Sequence, residues 1–222
     1  MSRRAARVID PAAAREIETH IAGVEARCGV EIVCAVYRSA DAYPEAPWFA
    51  FAFGTVVSAL VVVWAGILAP AWTSATSLVI EVALILGAGA TCGALAMLWP
   101  RWALLFVDRR RQKREARRRA EELFFERALH STSGHTAVLV FASVLERKIE
   151  IIPDRGFRGR VPAQAWKGVV SAMIPRLRAG ECGDAFIVAL DAIEKLLVLH
   201  GFSASGTRVD ELPNALIQGR GA

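Results

Sequence analysis

The chain has 222 residues, of which 54% are hydrophobic and 22% charged, with a mean hydropathy of +0.35, a net charge of +5 and a pI near 9.4. That average is too apolar for an ordinary soluble domain, so the composition asks for one water-soluble portion and one segment for lipid. The positive balance points to a polyanionic partner and leaves DNA, RNA and anionic lipid headgroups open.

The start, "MSRRAARVIDPAAAREIE", is basic but has no apolar core region, so it is not read as a cleavable secretory signal. Asp10-Pro11 is a helix start, a capping side chain followed by proline at the first helical position. Ile17, Ile21 and Val24 repeat at helical spacing, and Gly29 follows as a stop. "VEIVCAVY" (Val30 to Tyr37) is rich in β-branched residues and reads as a buried strand. The cysteines Cys28, Cys34, Cys92 and Cys182 form no CxxC pair and no metal-type spacing, and are read as reduced, mostly buried thiols of a reducing compartment.

Two apolar runs come next. Trp48 to Ala69 carries no charge, and Thr76 to Trp99 carries only Glu81. As helices rising 1.5 Å per residue, each reaches about 30 Å or more, enough to cross the hydrocarbon core of a bilayer. Backbone polar groups in lipid must be satisfied within the segment, which selects helix. The uncharged link "PAWTS" makes the pair a hairpin, with Trp48, Trp72, Trp99 and Trp102 near the headgroup level. "GAGATCGALA" lets the helices approach closely.

Directly after the second run stand Arg101 and then Arg109, Arg110, Arg111, Lys113, Arg114, Arg117, Arg118 and Arg119. Arg3, Arg4, Arg7, Arg15, Arg27 and Arg38 precede the first run, and the link has no basic residue. This positive-inside pattern implies a multi-pass protein of two spans with both termini cytoplasmic, the eight cations from Arg109 to Arg119 lying at an anionic membrane surface. Nucleic-acid binding asks for aromatic or amide partners, and no aromatic falls between Arg109 and Ala120.

Arg109 to Leu129 reads as a helix whose first half is all polar and whose apolar face comprises Ala120, Leu123, Phe124 and Ala128. "STSGH" breaks it. Thr136 to Val144 and Ile149 to Pro153 are strands joined by an "ERK" turn, followed by the glycine-bearing loop "DRGFRG". A helix from Pro162 to Arg178 has Trp166, Val169, Val170, Met173, Ile174 and Leu177 on one face, with Pro175 expected to kink or loosen its last turn. Another helix opens at Asp184 and closes at Gly201. The tail from Phe202 is expected to be loose.

One helix and one strand before the hairpin form no core alone. The expected fold is therefore an α/β domain split by a transmembrane hairpin: 8–46 its first part, 47–100 the hairpin, 101–201 the basic juxtamembrane helix with the remainder, and 202–222 a flexible tail.

The run "VLVFASVLERKIEIIPDRGFRGRVPAQAW" resembles the TPM domain, a family of small α/β modules found in photosystem II repair proteins and many bacterial membrane proteins. The likeness extends to "EIETHIAGVEARCGVEIVCAVY", to the closing helix and to "DELPNAL". It implies the branch of that family with membrane spans inside the module, in a bacterial inner membrane. Some members are acid phosphatases or calcium binders whose loop reads glycine, any residue, glycine, Leu, Glu, with an Asp within a turn. Here the matching positions are Asp154, Arg155, Gly156, Phe157, Arg158 and Gly159, with Ala163 in place of the later Asp. Only the two glycines carry over.

Two candidate sites follow. Glu146, Glu150 and Asp154 fall at every fourth position and suit a hard divalent cation such as calcium if they converge, or are solvated turn and edge residues if they do not. The loop Asp154, Arg155, Gly156, Arg158, Gly159 and Arg160 suits a phosphate or acidic group, or is only a sharp turn. His20, His130, His135 and His200 have no paired-ligand spacing, and Ser39, Ser131, Ser133 and Ser143 stand in no nucleophile elbow. No catalytic residue and no cofactor is expected. The leading expectation is a non-enzymatic assembly or quality-control factor for a membrane-protein partner; the alternatives are a membrane-bound phosphatase or metal-dependent hydrolase and, third, a nucleic-acid tether.

Overall fold

Asp10 begins the first helix as its sequence predicts, its Oδ2 accepting the Ala12 N–H at 3.1 Å while Pro11 fills the first turn. Gly29 ends it in the left-handed region at φ 65°, donating to Glu25 O at 2.8 Å. The computed structural model describes residues 8–68, 74–132, 134–204 and 212–219. Its elements are α1 (Pro11–Cys28), β1 (Glu31–Tyr37), α2 (Ala46–Leu68), α3 (Ala75–Leu98), the short α4 (Pro100–Ala103), α5 (Arg109–Glu126), β2 (Ala137–Ser143), β3 (Lys148–Pro153), α6 (Ala163–Ala179), α7 (Cys182–Leu199) and β4 (Ile217–Gly219). They fall into two units, Met1–Asp41 with Gln112–Ala222, and Ala42–Arg111. Arg3, Arg4, Arg7, Trp72, Ser133 and most of the "PAWTS" link lie outside the described residues.

The larger unit is a mixed sheet of order β3-β2-β1-β4 with helices on both faces. β1 is parallel to β2 and to β4, and β3 is antiparallel to β2. Every residue of β1 and β2 is buried, which explains why both read as near-continuous apolar runs rather than alternating ones. Ile32, Cys34, Val36, Val138, Val140 and Ala142 meet α1, α6 and α7 on one face. Val33, Ala35, Tyr37, Leu139 and Phe141 meet α5 on the other. β1 thus has a later-made strand on each side, which is how a helix and strand too small for a core acquire one.

Four expectations change. The tail from 202 is not loose where it is described: Phe202 is buried, β4 pairs with β1, and Gln218 Oε1 accepts the Val8 and Ile9 N–H groups at 2.9 and 3.1 Å. Residues 205–211 and 220–222 lie outside the described residues. The first half of α5 is amphipathic after all, since Gln112 and Ala116 join Ala120, Leu123 and Phe124 in its buried stripe. That helix stops at Glu126; Ala128, expected on its apolar face, turns to φ 52° and leads into a 3-10 turn. α7 opens two residues early, leaving Asp184 in its first turn, where a carboxylate suits the helix dipole.

In the smaller unit, the buried residues of α2 are Ala46, Ala50 and Gly54, and those of α3 are Gly89, Gly93 and Ala96. Small residues three or four positions apart let the backbones meet; a Cβ on Gly54 would lie 2.8 Å from Cys92 Sγ and 3.1 Å from Ala88 O. Ser58 donates across the pair to Ile85 O at 3.3 Å. The outward side chains, among them Phe49, Phe53, Val61, Trp64 and Ile80, are more than half exposed. Both helices are long and apolar enough to cross a membrane, at 23 and 24 residues.

Burial raises the pKa of the Cys28, Cys34 and Cys182 thiols, so little thiolate forms at neutral pH. In mild detergent these three should resist N-ethylmaleimide until the protein is unfolded. Prompt labelling of Cys34 would show that the sheet core opens.

Candidate anion-binding groove

The glycine loop is set by what it packs on. The Asp154 N–H donates to Ala137 O at 2.9 Å, ending β3, and its Oδ1 accepts the Arg155 N–H at 2.6 Å, starting a three-residue 3-10 turn. Phe157 pins that turn from below, its ring 5.5 Å from Trp166 and 5.1 Å from Phe202. Gly156 donates to His135 O at 2.9 Å, and a Cβ there would stand 2.5 Å from the same oxygen. Gly159 holds φ 78° with open space around it.

The loop arginines do not converge on one anion. Arg155 contacts the His135 ring, whose Nδ1 lies 3.0 Å from His130 O and 3.7 Å from Asp154 Oδ2. Arg160 lies over the Phe202 ring at 3.8 Å. Arg158 is exposed; with Arg160 and His200 it borders a recess of about 490 Å³ at the start of α6, and it also reaches a longer groove.

The three acidic candidates are also apart. A spacing of four aligns residues on a helix, but Glu150 stands on β3 and Asp154 directly follows its end, and four residues of extended chain span roughly 13 Å. Glu146 lies at the opposite end of the hairpin, in the β2–β3 turn. Neither Glu146 nor Asp154 is a solvated turn residue, since both are buried. Glu146 accepts from Ala40 N at 2.9 Å, from Ser39 Oγ at 3.0 Å and from Ser143 Oγ. Among the described residues no three His, Cys, Asp or Glu side chains gather as a metal set.

The Arg run forms the outer face of α5. Arg111 pairs with Glu45 at 2.8 Å, Arg117 with Glu121 at 2.8 Å, Arg118 with Glu115 and Glu122 at 2.8 and 2.9 Å, and Arg119 with Glu122 at 3.2 Å. Arg119 also lies over the Tyr37 ring at 5.1 Å. Arg109, Arg110, Lys113 and Arg114 are exposed. Much of this charge is therefore partnered on the domain itself.

The long groove follows the outer edge of β3, with a volume of about 850 Å³. Lys113 and Arg117 of α5 line one wall, Lys167 and Arg178 of α6 the other, and Arg147, Lys148 and Arg158 its ends. The lining thus has seven basic side chains and one carboxylate, Glu150, which is 12% exposed and 3.7 Å from Arg117 Nη1. No sequence signal marks this cluster, because its members come from separate elements. Only the alternation of Lys148 and Glu150 on one strand hints at it.

Burial raises the Glu150 pKa, against the opposing pull of Arg117, Lys113 and Lys148. Between the ordinary carboxylate pKa and this raised one, the folded state binds more protons than the unfolded, so stability falls as pH rises through that window. Glu150→Gln should abolish the fall and, near neutrality, raise the unfolding midpoint above that of the wild-type protein. Unfolding midpoints measured from about pH 4 to 8 check the sign.

Residues 101–196 match the family model of the TPM domain. The whole fold is similar to the NMR structure of the BA42 protein from the psychrophilic bacterium Bizionia argentinensis, with a TM-score of 0.57 and 15% identity, covering 99% of this chain and 100% of that one. At that identity the likeness bears on the fold alone. No curated protein matches.

Proposed function

We propose that this chain, with its TPM domain and two apolar helices, is a membrane-tethered, non-enzymatic module that holds an acidic segment of another membrane protein, in assembly or quality control. The observation that carries this reading is the groove along β3, whose lining holds seven cations and one carboxylate. Such a surface attracts a polyanion and fixes its position, and the attraction weakens with salt. The helix pair supplies the anchor, and the basic residues flanking both apolar runs favour the inner face of the membrane for the domain.

The test uses the purified full chain in detergent with poly-L-glutamate as probe. Binding should weaken about tenfold from low to moderate salt, and by a similar factor in the Lys148→Glu, Lys167→Glu double variant. Binding indifferent to both changes overturns the reading. A cysteine placed at Lys167 should react with an impermeant label only after cells are permeabilised; reaction in intact cells overturns the inner-face orientation. Turnover of a phosphomonoester, with or without divalent ions, that disappears in Asp154→Asn would replace this proposal with a membrane-bound phosphatase or hydrolase. The position of Asp154 near His135 and Arg155 makes that residue the right one to change.

A further inference from the structure

We infer that the acidic segment binds as an added β-strand, in extended form, along the outer edge of β3. The inference rests on the groove being a site for an acidic segment, and adds how that segment is held.

The sheet order leaves β3 at one edge and the three-residue β4 at the other. The Asp154 N–H points inward to Ala137 O. Strand alternation then turns the N–H and C=O of the even-numbered β3 residues toward β2, and those of Ile149 and Ile151 outward. Pro153 adds an outward carbonyl and no donor. The five residues from Ile149 to Pro153 all line the groove, so this edge forms its floor. An open edge is ordinarily a hazard, which natural sheets blunt with a lysine, a proline or a bulge. Lys148 and Pro153 fit that guarding role at the two ends of β3. Guarding does not account for Lys113, Arg117, Lys167 and Arg178, brought over the same edge by helices on opposite faces of the sheet.

The form of the groove selects among polyanions. A lipid surface cannot enter a cleft to pair with its floor, and a phosphate backbone offers no row of alternating donors and acceptors. Trp166, the aromatic lining the groove, is 7% exposed and is no stacking platform for bases. A polypeptide strand supplies both the backbone pairing and the charge.

The walls also differ. On the α5 side the segment meets Lys113 and Arg117; on the α6 side it meets Trp166, Val170 and Ile174 between the cations. Side chains of an added strand point alternately to the two sides. The segment recognised therefore alternates acidic residues, directed at α5, with apolar ones, directed at α6.

The experiment uses the full chain in detergent and a labelled octapeptide of alternating Glu and Val. Two derivatives carry backbone N-methyl groups, one on the Glu positions and one on the Val positions, which removes the donors from one strand edge at a time. Methylation on one edge should weaken binding by about tenfold or more and on the other leave it unchanged, because only one edge faces β3. The Ile149 and Ile151 amides should gain hydrogen-exchange protection in the complex. If both derivatives bind like the parent and those amides stay unprotected, strand addition is wrong while the groove remains an anion site. If the parent peptide and poly-L-glutamate both fail to bind, both proposals fall. Ile151→Pro, which removes an outward donor and spares the ladder to β2, should lower affinity with circular dichroism unchanged.

Discussion

Glu146→Ala should destabilise the sheet unit by about 3–5 kcal/mol, because it strips three donors of a buried acceptor at once. The carboxylate receives the Ala40 N–H and the Ser39 and Ser143 hydroxyls, and so joins the segment leaving β1 to the turn after β2. With alanine, the buried Ala40 N–H has neither this partner nor water. Glu146→Gln retains the volume and one acceptor oxygen, and serine hydroxyls can rotate to meet the amide, so it should cost far less. Thermal unfolding in detergent compares the two. If millimolar calcium stabilises the wild-type protein and not Glu146→Gln, the carboxylate is a cation ligand and this account is wrong.

Gly156→Ala should cost about 2–4 kcal/mol, the sum of a backbone clash and a lost hydrogen bond. Its Cβ would meet His135 O at 2.5 Å and Gly134 O at 3.0 Å, and backbone atoms cannot swing aside as a side chain does. Relief requires the Gly156 N–H to leave His135 O, which frees the 3-10 turn and the seat of Phe157. Gly159→Ala is the informative contrast. Its φ of 78° disfavours any side chain, but nothing lies within 4 Å, so the expected cost is about 1 kcal/mol. Equal losses from the two variants would mean that close approach is not what the first glycine provides.

The elements readable from sequence are those whose signals are local. Asp10-Pro11 and Gly29 bound α1 because capping chemistry acts within a turn, and the small residues of α2 and α3 lie where helix packing needs them. The sequence signal for β4 is nearly absent: "IQG" is three residues long and becomes a strand only because β1 offers it a partner. The inward face of early α5 was hidden for another reason. Gln112 and Ala116 are weak core markers, and the arginines around them dominate any reading of polarity. Glu146, Glu150 and Asp154 invited a metal reading through their spacing, which strand geometry dissolves. The basic groove could not be foreseen from order alone, since α5, β3 and α6 each contribute too few cations to stand out.

β1 sits between two strands that the ribosome makes long after it. Its neighbour on one side arrives with residue 137 and on the other with residue 217. Through the whole synthesis of the two apolar helices, α1 and β1 emerge as a sticky fragment with both strand edges bare. Maturation of this domain is thus a matter of timing, and a factor that shields nascent chains has its most exposed client here in the first forty or so residues.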